Sequence, residues 1–250
     1  SITTRSQPMD PSIAETLLRL NRTFYDRFAQ QFAQSRTPHQ PGWQRLLPFL
    51  PQRGRLLDVG CGHGRLARLL EQQGRQLEYV GVDYSAQLLA IARADTALLA
   101  IPTTLVEADV AVQGWGERLP GGPFDAVVAL AVLHHIPGWH RRRDLLAQLA
   151  GLLTDEGTLL LSTWQFMNEA RLRRKIMPWN AAGLTPEQVE AGDALLDWQR
   201  GGSGLRYCHL VDEAELTALA SQAGLVIQAM FYDDGRSSNL NLFAALRCQR

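Results

Sequence analysis

Residues 56–66 read Leu56-Leu57-Asp58-Val59-Gly60-Cys61-Gly62-His63-Gly64-Arg65-Leu66, and the fold turns on them. An apolar run that ends in an acid and passes into Gly-x-Gly-x-Gly describes a buried strand turning sharply into a helix. The glycines allow the tight turn and let a ligand approach the backbone with no Cβ in the way. A dinucleotide fingerprint would need G-x-G-x-x-G, and its third glycine position falls on Arg65.

Outward from this turn, short apolar runs alternate with helical patterns, as in a parallel sheet wrapped by helices. Strands are expected at Arg55–Val59, Leu77–Val82, Thr103–Glu107, Phe124–Ala129, Gly157–Thr163, Leu225–Tyr232 and Leu240–Leu246. Helices are expected at Gly64–Gln73, Ser85–Ala100, His140–Leu153 and Asp212–Ala223, the last opening on an Asp212/Glu215 capping-box pair. The Asp233-Asp234-Gly235 turn makes the final two strands an antiparallel hairpin. The expected fold class is therefore α/β, a doubly wound, seven-stranded, mostly parallel sheet with an antiparallel terminal hairpin.

Ahead of the sheet, Pro11–Gln34 reads as an amphipathic helix with Leu17, Leu20, Phe24 and Phe28 about one turn apart. Pro38 and Pro41 break it, and Trp43–Leu50 reads as a second, shorter helix. Gln165–Arg206 is too long for a plain connection between strands. It holds the cluster Arg171, Arg173, Arg174 and Lys175, an apolar knot at Ile176–Trp179, a helix expected from Thr185 to Trp198, and the flexible run Gly201-Gly202-Ser203-Gly204. The chain thus divides into an N-terminal helical segment, 1–54, and a main domain, 55–250, with an insertion at 165–206.

The 250 residues are 46% hydrophobic, enough apolar mass for a core without staples. Twenty-five basic residues balance twenty-five acidic ones, so the chain as a whole is no polycation for coating nucleic acid or lipid, and any such binding must be local. The longest apolar run, Ala126–Leu133, is far short of the ~20 residues of a membrane helix. With no signal-peptide pattern in the polar N-terminus, a soluble, cytoplasmic protein and no membrane partner are expected. Cys61, Cys208 and Cys248 form no CxxC pair, which argues against a disulfide framework or a structural zinc site. His134 and His135 are adjacent rather than one turn apart, so no metal site is expected there either. Lys175 is the single lysine, which leaves little room for Schiff-base chemistry.

Three acids end successive strands. Asp58 closes the first, Asp83 the second, placed to accept both hydroxyls of a ribose, and Asp109 the third, placed to accept from an exocyclic adenine amine. Asp83 could equally hold the start of the following helix. This constellation resembles the class I, Rossmann-like S-adenosylmethionine-dependent methyltransferases, over roughly Arg55 to Leu246. The resemblance implies S-adenosylmethionine as cofactor and S-adenosylhomocysteine as product. It places Asp58 near the methionine amine, Gly60, Cys61 and Gly62 beside the methionine moiety, and Tyr84, Val110 and Leu130 in the cofactor pocket.

The fourth strand runs into Leu130-Ala131-Val132-Leu133-His134-His135, where such enzymes usually receive the acceptor. A histidine there is either a general base for a hydroxyl or amine or a wall of the cofactor pocket. Further pieces narrow the likeness: Phe24-Tyr25-Asp26, Arg36 after Phe32-Ala33-Gln34-Ser35, Ser162-Thr163-Trp164, Arg206-Tyr207-Cys208-His209 and Phe231-Tyr232-Asp233. They look like the eukaryotic-type tRNA methyltransferases that esterify 5-carboxymethyluridine at the wobble position. By that resemblance the N-terminal segment covers the cofactor, Arg36 grips the methionine carboxylate, and Arg206, Tyr207 and His209 line the acceptor site. tRNA becomes the expected partner, with a small activating protein as some relatives require.

A carboxymethyl group is already an anion at pH 7, so methylating it needs alignment and a charge clamp rather than a base. Arg206 is the first choice for that clamp and Arg236 the second. The chain also departs from the family: its insertion carries six basic and five acidic residues where relatives are strongly basic, and Gly235-Arg236-Ser237-Ser238-Asn239 stands where they carry an aromatic. The runs Arg141–Arg143 and Arg171–Lys175 could meet phosphates or simply face solvent. Two rival readings remain, a small-molecule O- or N-methyltransferase with His134 or His135 as base, and a non-catalytic cofactor-binding module that scaffolds a partner.

Overall fold

The structure, a computed structural model, describes residues 8–35 and 40–249. The apolar runs form β1 (Arg53–Val59), β2 (Gln76–Asp83), β3 (Thr103–Glu107), β4 (Phe124–Leu130) and β5 (Leu153–Trp164), with β9 (Leu225–Asp233) and β10 (Asn241–Cys248) closing the chain. They build one seven-stranded sheet in the order β3-β2-β1-β4-β5-β10-β9. The pairs among β1 to β5 are parallel, and β10 runs antiparallel to both β5 and β9. The expected sheet and its terminal hairpin are both present.

Strand residues alternate between two cores. Leu57, Val59, Val127, Ala129, Leu159 and Leu161 face one side. There they meet α5 (Trp139–Gly151) and α7 (Glu213–Gln222), through Leu145, Leu146 and Leu149 and through Leu216 and Leu219. Leu56, Tyr79, Ala126, Val128 and Leu160 face the other, against α2 (Pro41–Leu46), α3 (Arg65–Gln72) and α4 (Ala86–Thr96). Burial on both faces is why these strands read as continuous apolar runs. Among the described residues no helix is long and apolar enough to cross a membrane.

The N-terminal helix α1 (Pro11–Gln34) begins where Asp10 accepts a hydrogen bond from the Ser12 N–H at 2.8 Å, with proline in the first turn. It packs on a small second sheet formed by residues 176–209, and that sheet corrects one expectation. Residues Thr185–Trp198 are not a helix: a short 3₁₀ turn over Pro186–Gln188 gives way to β7 (Asp193–Trp198), which pairs with β6 (Ile176–Met177) and β8 (Gly204–His209). The physical reason is burial with period two. Ala194 and Leu196 pack with Phe166 and α6 (Ala170–Arg173), whereas Leu195 packs with Tyr207, Leu17 and Leu184. Gly201 and Gly202, at φ 72° and 135°, make the turn between β7 and β8.

Two smaller expectations also change. Asp212 caps α7 by accepting from the Glu215 N–H at 2.8 Å, but the Glu215 carboxylate turns to Arg142 and His209 instead of reaching back. Arg142, inside the run Arg141–Arg143, is fully buried, donating to Glu190 at 2.7 Å, Glu215 at 2.8 Å and the Ile136 carbonyl at 3.0 Å. It holds the insertion to α5 and α7 and cannot reach a phosphate.

Candidate active site

A cavity of about 620 Å³ opens at the C-terminal ends of β1, β2 and β4, beneath α1 and the insertion sheet. Ligands of open α/β sheets bind at this edge. Its floor is the glycine loop. The Gly60 and Cys61 N–H groups both donate to the Val82 carbonyl, at 2.8 and 3.0 Å, which bends the chain back against β2. Gly60 has φ 69°, and a Cβ there would lie 2.5 Å from Val132 Cγ2. Gly62, at φ 55°, would instead point a Cβ into open space, the place a ligand would occupy.

Two carboxylates stand beside this loop. Asp83 accepts from the Gly62 N–H and the Ser85 N–H, each at 2.9 Å, so it braces the loop and the entry to α4 at once. Asp58 accepts from the Tyr79 hydroxyl at 2.6 Å. Burial is the largest influence on both, raising Asp58 to about 7, against the pull of the Tyr79 hydrogen bond, and Asp83 to about 6, against its backbone hydrogen bonds. Dry acids beside an open glycine face suit a cationic ligand, and an aminoacyl sulfonium nucleoside fits them. Burial pushes the Cys61 thiol far above its usual range, leaving it an inert wall. Tyr84 closes the same wall, its hydroxyl donating to the Asn21 carbonyl at 3.2 Å.

Asp109, Val110 and Leu130 line the cavity as well. Asp109 is already engaged: Arg22 of α1 donates to its Oδ2 through Nε at 2.8 Å and Nη2 at 2.7 Å, and the Ala111 N–H donates to Oδ1 at 2.9 Å. In this structure the acid expected at the adenine amine ties α1 to the end of β3. Ala131, just past β4, adopts φ 61°, its N–H shared between the Ser162 carbonyl and hydroxyl at 3.0 Å. Left-handed backbone costs a non-glycine residue about 1–3 kcal/mol and persists where the surroundings force it. Arg36 lies outside the described residues.

The other end of the cavity belongs to Arg206. Arg206 is buried, only 8% exposed, and its guanidinium carbon lies 4.6 Å from the Trp164 ring, 5.2 Å from Phe24 and 5.8 Å from Trp198. Nε has no hydrogen-bond partner, and among the described residues no carboxylate pairs with this cation. Arg171, Lys175 and Arg200 line the cavity as well. Arg236, the second choice for a clamp, is exposed and off the cavity wall.

The two histidines have different surroundings. His134 is buried and accepts at Nδ1 from the Trp164 N–H at 3.1 Å. His135 has the Tyr25 hydroxyl 2.9 Å from Nε2 and the Tyr207 carbonyl 3.1 Å from Nδ1. Tyr207 and His209, expected at the acceptor, do not line the cavity. Successive β8 side chains alternate in direction, so Arg206 faces the cavity while its neighbours face away. The Tyr207 hydroxyl donates to Asp193 at 2.8 Å, and His209 lies between Asp193 at 2.6 Å and Glu215 at 2.8 Å. Ligand atoms of Glu190, Asp193 and His209 fall within 4.8 Å of one another, but Arg142 on Glu190 and the two carboxylates on His209 already satisfy them.

Sequence reasoning missed Asn21, Arg22, Trp198 and the use made of Tyr25. Asn21 had a legible signal. It stands in the apolar stripe of α1 between Leu17 and Phe24, and a polar residue on a buried stripe needs a partner.

This geometry defines a methyltransferase of the class I fold, an enzyme whose methyl donor is S-adenosylmethionine. The chain belongs to the family described as a methyltransferase domain, whose model matches residues 25–229. It is 31% identical over 240 residues to a putative methyltransferase of Encephalitozoon cuniculi, covering 95% of this chain and 98% of that one. It is 24% identical over 260 residues to a tRNA (carboxymethyluridine(34)-5-O)-methyltransferase of Xenopus tropicalis, covering 84% of this chain but only 38% of that protein. Among solved structures, the CcbJ methyltransferase of Streptomyces caelestis superposes with a TM-score of 0.65 at 18% identity, over 91% of this chain and 98% of that one. The 1,6-didemethyltoxoflavin-N1-methyltransferase of Burkholderia thailandensis superposes at 0.62 and 17%, over 96% and 91%.

Proposed function

We propose that the enzyme methylates a carboxylate, that of 5-carboxymethyluridine in tRNA, to give the methyl ester. The observation that carries this reading is Arg206, a cation buried among three aromatic rings with no carboxylate of its own among the described residues. A buried charge is costly unless paired, and this one faces the cavity where an acceptor would enter. An incoming carboxylate would complete the pair, and a guanidinium fork fixes both of its oxygens in one plane.

S-adenosylmethionine supplies an activated methyl group when bound. The chain's residues do the rest. Asp58, Asp83 and the glycine loop hold and orient the donor, and Tyr84, Val110 and Leu130 enclose it; the resemblance assigns its carboxylate to Arg36, which lies outside the described residues. Arg206 binds and aligns the acceptor anion, Trp164, Phe24 and Trp198 exclude water around it, and Arg171, Lys175 and Arg200 on the cavity lining suit the phosphates of an RNA strand. No proton is removed, so His134 and His135 have no base to be in this reading. The name borne by the frog relative, a carboxymethyluridine methyltransferase, supports the same acceptor.

The test is to incubate the protein with donor and bulk tRNA lacking the ester, digest, and weigh the nucleosides. The expected product is a methyl ester of 5-carboxymethyluridine, cleaved by mild alkali. An alkali-stable product, or methylation of a metabolite with tRNA untouched, would leave a small-molecule O- or N-methyltransferase instead.

A further inference from the structure

We infer that His135, with Asn21, is a positioning residue: the two grip the backbone of Tyr207 and so hold Arg206 against the cavity. The inference rests on the reading of Arg206 as the acceptor clamp. Among the described residues β8 is an edge strand, paired with β7 alone, so its outer side needs another partner. Asn21 supplies one as a strand would, accepting the Tyr207 N–H at Oδ1, 2.9 Å away, and donating from Nδ2 to the Tyr207 carbonyl at 3.1 Å. His135 Nδ1 lies 3.1 Å from the same carbonyl.

His135 Nδ1 also lies 3.4 Å from Asn21 Nδ2, but the Tyr207 carbonyl at 3.1 Å is nearer and can only accept, so we assign the ring proton to Nδ1. Nε2 is then the lone-pair nitrogen, and it faces the Tyr25 hydroxyl at 2.9 Å as an acceptor. His135 thus has both ring nitrogens committed, one to α1 and one to β8. Tyr207 adds its own hydroxyl bond to Asp193, and Arg206 is the next residue along the strand. Among the described residues the Arg206 guanidinium has no ion pair to fix it and three rings around it, so its place depends on where the backbone of β8 sits. A histidine at this turn therefore sets the geometry of the clamp instead of taking a proton.

The discriminating variant is His135→Gln, whose amide can donate to the Tyr207 carbonyl and accept from Tyr25 but cannot act as a base. Steady-state kinetics are measured on tRNA carrying 5-carboxymethyluridine. His135→Ala and Asn21→Ala should each raise the acceptor KM about tenfold or more, with cofactor Kd unchanged, and His135→Gln should restore most of that loss. Loss of kcat by about 10²–10⁴ in both His135→Gln and His135→Ala is the signature of a general base and overturns the inference. A wild-type enzyme inactive on this tRNA overturns the acceptor reading alone. The inference is then decided by the ¹H–¹⁵N resonance of the Arg206 Nε–H, assigned by its loss in Arg206→Lys. That resonance should move in Asn21→Ala and His135→Ala and return in His135→Gln; an unmoved resonance in both alanine variants refutes the positioning role.

Discussion

Arg206→Met separates a residue kept for function from one kept for the fold. Methionine fills similar space among Phe24, Trp164 and Trp198 but carries no charge. Three ring contacts at 4.6–5.8 Å, at about 0.5–1 kcal/mol each, return roughly 2 kcal/mol to the buried cation. Against that stand an unpartnered Nε, costing about 1–3 kcal/mol, and the desolvated charge itself. Removing the cation should therefore leave stability unchanged or raise it by up to about 2 kcal/mol. At roughly 2–4 °C per kcal/mol for a chain of this size, Tm rises by a few degrees at most. The acceptor loses a charged hydrogen-bonding partner worth about 1.5–3 kcal/mol, a fall in kcat/KM of roughly 10- to 150-fold. Differential scanning calorimetry and methyl transfer to tRNA read the two quantities on one preparation. A variant that melts several degrees lower yet keeps its kcat/KM would refute the reasoning and make Arg206 a packing residue.

Asp83→Ala should weaken cofactor binding by about 1–3 kcal/mol, since it frees the Gly62 N–H and removes a charged partner; calorimetric titration with S-adenosylhomocysteine checks this. Because a cationic ligand favours the ionised form of Asp58, raised to about 7 by burial, cofactor affinity should fall roughly tenfold between pH 8 and pH 6, and a Kd flat over that range would remove Asp58 from the site. Burial is the largest single influence on His209 and lowers it, but its hydrogen bonds to Asp193 and Glu215 together outweigh burial and raise it above the ordinary 6.5. Its contribution is therefore full below pH 6.5 and lost as pH rises through the folded value, so the stability gap between wild type and His209→Gln in urea melts should narrow above pH 6.5.

How much of this could be read from the chain depends on whether a residue's partner is near in sequence. The glycine loop, the acids ending β1 and β2 and the order of strands and helices were legible because each is a local pattern of turn and burial. The helix expected over Thr185–Trp198 failed for a related reason. Leu195 and Leu196 are adjacent apolar residues that bury on opposite faces of one strand, and short apolar runs do not distinguish a two-sided strand from a helix. Arg142 read as part of a charge run, since its partners Glu190 and Glu215 lie 48 and 73 residues away.

The acceptor end shows the same limit from the other side. The segment Arg206-Tyr207-Cys208-His209 suggested three site residues together, yet strand alternation divides them, sending Arg206 to the cavity and Tyr207 and His209 into a buried polar network. That division has a consequence for chemistry. An arginine without an ion pair can be placed only by its backbone and its rings, and the backbone here is held from beneath by Asp193 through Tyr207, and from the outer edge by Asn21 and His135. If Arg206 is the acceptor clamp proposed above, Tyr207 and His209 act as its supports, and changing either should alter acceptor binding before it alters the donor site.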